Sequence, residues 1–348
     1  MESKNLVKSA MLTLILVIAS IGSWEFYLRN KGLHVDYDDG NALWSDKRAL
    51  VYEPSDKATV FIGASRNKYD IDIDTWQSLT GDHAIQLAIE GNSPLPVLDN
   101  LANDNYFKGK LIVDVTEGLF FTNSPNNIEE PKEHVAYYKK RTPAQCFSFI
   151  VNHVLESKFV FLDKFNFSLN ALLEKLPCKN RPGVFELPFQ FPMEFGRITF
   201  ARQNIMMEKF LTDTTLQNHV KALWDFFRKT NKEPLMTGNK LDSILASVKT
   251  DCDKIKARGG QIIFVRTPSS GTVLAAEKIK FPKEKYWERI LSVTKCPGIH
   301  FEDYPAIAHF ECPEFSHLKQ TDAIIFTKNL VEILQKEKGW SFPHKQNL

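Results

Sequence analysis

Five short runs of apolar residues constrain the fold of this chain more than any other feature. They are Ala58-Thr59-Val60-Phe61-Ile62, Ala84-Ile85-Gln86-Leu87-Ala88-Ile89, Lys110-Leu111-Ile112-Val113-Asp114-Val115, Gln261-Ile262-Ile263-Phe264-Val265 and Gly298-Ile299-His300-Phe301. Runs that are apolar nearly throughout, rather than at alternate positions, suit strands covered on both faces. Between them lie segments with helical spacing. Residues 72–79 read as a short helix with Asp72 or Asp74 as N-cap. Residues 94–106 read as a helix with proline in its first turn. From Lys240, the positions Leu241, Ile244, Leu245, Val248, Cys252 and Ile255 keep helical spacing up to a stop at Gly259-Gly260. Residues 284–294 and 319–335 read as two more helices. The pattern predicts an α/β domain with a parallel sheet of about five strands.

The alternation stops over residues 120–235. This span is rich in phenylalanine and contains the run Phe185-Glu186-Leu187-Pro188-Phe189-Gln190-Phe191-Pro192. Helical patches are readable at 144–156 and 216–228. The expectation is one large helical and irregular insertion packed over one end of the sheet, with a plain core reading set beside an acyl-chain groove.

The N-terminus differs from the rest. Residues 9–24, between Lys8 and Glu25, carry no charge. The stretch is slightly short of the roughly 20 residues that span a bilayer. Phe26, Tyr27 and Leu28 extend it, and Lys8 and Arg29 can snorkel. Trp24 and Tyr27 suit an interfacial belt, and Lys4 and Lys8 favour an inside N-terminus. Residues 1–29 are therefore expected to be a single transmembrane anchor, 30–57 a polar stalk, and 58–348 the α/β domain. The alternatives are a cleaved signal peptide, with Ser20-Ile21-Gly22 a poor cleavage site, and a buried core helix. The anchor and signal readings both place the domain outside the cytoplasm, periplasmic or extracellular.

The 348 residues hold 44 Lys and Arg against 42 Asp and Glu, for a net charge of +2. No basic stripe is present, which argues against nucleic-acid binding. The five cysteines match no zinc spacing. Cys296 and Cys312 flank the last predicted strand and form the candidate disulfide, with buried free thiols as the alternative.

Two motifs carry chemistry. Gly63-Ala64-Ser65-Arg66 closes the first apolar run, and Glu314-Phe315-Ser316-His317-Leu318 precedes the last helix. A serine after a first strand and a histidine before a final helix can converge at one end of a parallel sheet as nucleophile and base. Ser65, Gly91, Thr116-Glu117, the loop Arg266-Thr267-Pro268-Ser269 and His317 all fall at the carboxyl ends of the strands, where open α/β sheets bind ligands. For each residue a plainer reading stands beside the functional one. Ser65 can cap a helix, Arg66 can be an ion-pair partner rather than bind an anionic substrate group, and Glu117 can be a satisfied loop carboxylate. Asp303 rivals Glu314 as the acid.

This order of motifs resembles the SGNH (GDSL-type) hydrolase superfamily over about 58–118 and 240–336. The resemblance implies a flavodoxin-like, three-layer sandwich with Ser65 as nucleophile and His317 as base. It also implies an oxyanion hole from the N–H groups of Ser65 and Gly91. Glu314 stands where the family usually has aspartate. Thr116-Glu117 stands where an asparagine is expected, and Asn92 is the candidate substitute. Anchor, degenerate third block and insertion together resemble one membrane-anchored branch, whose members act with membrane-bound O-acyltransferases on envelope polymers. The implied function is serine-dependent ester chemistry, O-acyl transfer or deacylation, on a polysaccharide or acylated glycan. No cofactor or metal is implied. The alternative is a catalytically silent subunit that binds polymer or a membrane O-acyltransferase partner.

Overall fold

The computed structural model describes residues 2–54, 57–174 and 190–343. The chain divides into two compact units, Met1–Asp38 with Pro143–Leu187 and Asp39–Thr142 with Pro188–Leu348.

The larger unit is α/β. Strands β1 (Ala58–Ile62), β2 (His83–Gln86), β3 (Lys110–Asp114), β6 (Gln261–Arg266) and β7 (Gly298–His300) form a five-stranded sheet in the order β2-β1-β3-β6-β7. All four pairings are parallel. β4 (Arg197–Ile198) and β5 (Asn204–Ile205) form a separate antiparallel pair. All five expected strands form, each within a few residues of the expected ends. The expected run 84–89 is carried past β2 by two further ladder bonds, Leu87 N–H to Phe61 O at 2.8 Å and Ile89 N–H to Gly63 O at 3.0 Å.

Strand residues alternate between two cores because successive side chains point to opposite faces. Val60, Ile62, Leu111, Val113, Ile262 and Phe264 pack with the helices Leu95–Ala102, Gly238–Ala257 and Trp287–Thr294. Phe61, Ile112, Ile263, Val265 and Ile299 pack with Trp76 of Ile73–Thr80 and with Phe326 and Leu330 of Gln320–Lys336. A smaller cluster joins Tyr69, Phe195, Met206, Phe210 and Val220.

Three expectations are corrected. The stalk assigned to 30–57 ends early, because Asn41–Ala49 is a helix of the α/β unit. Trp44 is fully buried and its indole donates to Leu87 O at 3.1 Å. Arg48 is also buried, and its guanidinium donates to Asn100 and Asp104 at 2.8 and 2.7 Å. The span 120–235 is not one body. The helix Pro125–Lys140 packs on Asn41–Ala49 and Leu95–Ala102, residues 143–174 belong to the smaller unit, and the described chain from Gln190 belongs to the larger. Part of the aromatic run, 185–189, lies outside the described residues.

The Cys296–Cys312 bridge is absent. Both are free thiols, as are Cys146 and Cys252, and Cys178 lies outside the described residues. Cys296 belongs to the core on one face of the sheet and Cys312 to the core on the other. The Cys296 thiol instead donates to Thr294 O at 3.7 Å.

The smaller unit contains the helix Glu2–Asn30, of which Asn5–Asn30 is long and apolar enough to cross a membrane. Its other helices are Pro143–Glu156, Lys164–Phe167 and Leu169–Glu174.

Candidate active site

In chain order the sheet grows outward in both directions from the pair β1 and β3, so the crevice at their carboxyl ends is the topological switch point. Ser65 opens the helix Ser65–Asp70 just past β1. The N-cap position is Ala64, which has no side-chain group to cap the helix. The tight exit from β1 requires Gly63, because a Cβ there would lie 2.5 Å from Asp114 Cβ at the end of β3.

Ser65 Oγ lies 2.8 Å from His317 Nε2, across 252 positions of sequence. His317 Nδ1 lies 3.0 Å from Glu314 Oε1. An ionised carboxylate can only accept, so Nδ1 carries the proton and Nε2 is free to accept from the Ser65 hydroxyl. Glu314 is wholly buried and His317 nearly so. The Glu314 carboxylate is held on all sides. Oε1 also accepts the N–H groups of Ser316 at 3.2 Å and His317 at 2.6 Å, and Oε2 accepts the indole N–H of Trp224. The loop turns sharply enough to allow this because Phe315 takes a left-handed conformation, φ 76°. Ser270 braces it, donating its N–H to Phe315 O at 2.9 Å and accepting the Cys312 N–H at 3.1 Å. Asp303, the rival acid, is instead paired with Lys283.

Aromatic rings wall the imidazole. Tyr69 lies 4.6 Å from it, centroid to centroid, with Phe195 at 5.7 Å and Trp224 at 5.9 Å. Asp70 ties the two motifs together, since its Oδ1 accepts the N–H of Leu318 at 2.9 Å. The last residue of the serine helix therefore holds the residue after His317. Burial pushes Asp70 up to about 7, against the opposing pull of His317, the Leu318 N–H and the Thr267 hydroxyl. Burial likewise raises Asp114 to about 6.

The remaining expected residues are placed as follows. Gly91 takes φ +66°, a conformation that a side chain would strain. Its loop is held by Lys68, which donates to Glu90 at 2.7 Å, and by Arg202, which donates to Gln86 O and Ala88 O at 2.8 and 3.0 Å. The Asn92 side chain is committed elsewhere, with Nδ2 donating to Glu90 O and Glu130 Oε2, both at 2.7 Å. Arg66 is an ion-pair partner, 2.5 Å from Glu277 Oε1, and it donates to Ser316 Oγ at 3.2 Å. Desolvation of the half-buried Glu277 carboxylate would raise it, but Arg66 and Arg266 hold it down to about 2. Glu117, in the third block, pairs with Arg266 at 3.0 Å. Burial and the neighbouring Glu277 charge nevertheless raise it.

Tyr69, Asp70 and Trp224 belong to this site and were not among the expected residues. Tyr69 was accessible to reasoning, because it sits one helical turn after Ser65. Trp224 offered no such signal, because the apolar stripe of its helix Thr214–Thr230 says only that the face is covered.

A scan against protein-family models and a search of curated proteins both return no match for this chain.

Proposed function

We propose that this chain is a membrane-anchored, serine-dependent ester-processing enzyme of the SGNH type. It transfers or removes acyl groups on an envelope or secreted polysaccharide outside the cytoplasm. The observation that carries this reading is the unbroken series Ser65 Oγ, His317 and Glu314 at 2.8 and 3.0 Å. The sheet supports it as well, because the strand order corresponds to 2-1-3-4-5, the flavodoxin-like doubly wound order.

A serine hydroxyl is too weak an acid to attack an ester unaided at neutral pH, so it needs a base within hydrogen-bond reach. In the proposed cycle His317 Nε2 takes the Ser65 proton as Oγ attacks the ester carbonyl carbon. The imidazolium that forms is stabilised by Glu314. The oxyanion gathers against the N–H groups of Ser65 and Gly91. As the tetrahedral species collapses, His317 returns the proton to the departing alcohol. The acyl group on Ser65 is then taken by a sugar hydroxyl (transfer) or by water (deacylation), with His317 again the base. Asp70 and the aromatic wall position this pair.

In this reading Asn5–Asn30 is an uncleaved single-pass anchor with the N-terminus inside, and a membrane-bound O-acyltransferase is the natural acyl supplier. The test is covalent trapping. The full chain, mixed with an activated acyl ester and quenched in acid, should carry the acyl group on the peptide containing Ser65. One observation favours the second reading, a silent polymer- or partner-binding subunit: the Asn92 amide is committed elsewhere, which leaves any oxyanion hole to backbone donors. That reading predicts no adduct at Ser65.

A further inference from the structure

The smaller unit carries apolar side chains on the face that water would occupy. The helix Pro143–Glu156 buries no residue. Phe147, Ile150, Val151, Val154 and Leu155 recur at helical spacing and all are exposed, Phe147 at 67% and Ile150 at 55%. The half-buried face of the same helix carries Cys146, Phe149, His153 and Glu156. A surface helix in water shows the reverse arrangement, with its apolar stripe inward. The next two helices repeat the pattern, with Phe165 exposed at 63% and Leu169 at 71%. Water-soluble surfaces rarely present this much apolar area in one place.

A second observation concerns what this segment is fastened to. The end of the N-terminal helix is tied to it by directed bonds. The Glu25 carboxylate accepts the N–H groups of Val160 at 3.0 Å and Phe161 at 3.1 Å. Arg29 donates to Lys158 O at 2.8 Å and pairs with Glu25 at 2.7 Å. Trp24 stacks on Tyr27 at 5.5 Å and meets the edge of Phe167 at 6.3 Å. The segment that carries the outward stripes is therefore tied to the helix end at Trp24 and Tyr27, the residue types that mark the membrane–water boundary.

We propose that the 143–173 segment lies in the membrane interface, with Phe147, Ile150, Phe165 and Leu169 inserted at the headgroup–acyl boundary of the bilayer that the N-terminal helix crosses. This inference rests on the reading of that helix as an anchor. A bilayer is the occupant because the segment that carries the stripes is fastened to the end of the one described helix able to span it. An apolar medium also accounts for the exposure of Phe147, Ile150, Val151, Val154 and Leu155, which share the outer side with Gln145, Ser148 and Asn152. A protein partner, or residues 175–189 of this chain, would be competing occupants.

The test places the photoreactive residue p-benzoylphenylalanine singly at Phe147, Ile150 or Leu169 of the full chain, with Leu14 as the reference inside the N-terminal helix. The chains are irradiated in the membranes of the expressing cell. All four positions should gain the mass of one phospholipid, at comparable yield. A lipid adduct at Leu14 alone overturns the proposal while the anchor stands. Crosslinks from the three surface positions to another protein, or to residues 175–189, do the same. Failure of Leu14 itself to capture lipid removes the anchor reading and this proposal with it. Because each substituted position is already exposed, loss of folding is not the expected cause of a negative result.

Discussion

Two helices in this chain have similar patterns and opposite orientations. In Gln320–Lys336 the positions Ala323, Phe326, Leu330, Val331 and Leu334 are buried against one face of the sheet. In Pro143–Glu156 the positions Phe147, Ile150, Val151, Val154 and Leu155 point outward. Periodicity specifies that a helix has an apolar side. It does not specify the medium that side meets. In the larger unit that medium is the chain's own sheet, and the order it imposes brings Ser65 and His317 to 2.8 Å. In the smaller unit the apolar side has no protein cover among the described residues, and in the proposed arrangement a bilayer supplies that cover.

The contrast can be tested by substitution, and the largest effect lies at the site. Ser65→Ala and His317→Ala should each reduce turnover of an activated acyl ester by about 10⁴-fold or more, and the double variant should be little worse, because the pair acts as one unit. Ile150→Ala in the outward stripe should leave that rate unchanged in detergent solution.

Stability should separate the two helices next. Phe326→Ala removes a fully buried ring and should cost about 3–5 kcal/mol. Ile150→Ala should stay within about 0.5 kcal/mol. Denaturant midpoints of the full chain in micelles measure both. Equal losses would mean that the outward stripe is packed by protein after all.

Within the site, Glu314→Gln keeps the size of the side chain and removes its charge. Its turnover loss should be roughly tenfold to a hundredfold milder than that of His317→Ala, read from kcat at saturating ester.

The smallest expected effect is a pH dependence from Asp70. Burial raises its folded value to about 7, against about 4 for an unfolded aspartate. The folded chain therefore keeps a proton that the unfolded chain has released. Stability falls as pH rises from about 4 to about 7 and then levels off. Asp70→Asn retains an acceptor for the Leu318 N–H and removes the titration. It should gain on the native chain by about 1–3 kcal/mol between pH 5 and pH 8, read as a difference in Tm that widens with pH.

Much of the larger unit was legible in the sequence. Strands buried on both faces leave continuous apolar runs, so all five could be found from residues alone. Ser65, His317 and Glu314 were legible for a related reason, since each sits at a strand or helix boundary where turn chemistry shows. What stayed hidden depends on pairing across long distances. Arg48 and Lys68 look like solvent residues until Asp104 and Asp39 are placed beside them. Trp224 reaches Glu314 from a separate helix, and nothing in its own segment predicts that partner. Cys296 and Cys312 looked like neighbours because they are near in sequence, but the sheet separates the cores they join. The smaller unit was the least legible, because the periodicity of Pro143–Glu156 carries no sign of which way it faces.

The most direct test of the account is active-site labelling of the full chain, in the membrane fraction of expressing cells, with a fluorophosphonate probe. The chain should be labelled at Ser65, labelling should vanish in Ser65→Ala, and it should slow sharply in His317→Ala. Absence of label on the folded native chain, or label that persists in Ser65→Ala, would contradict a Ser65 nucleophile.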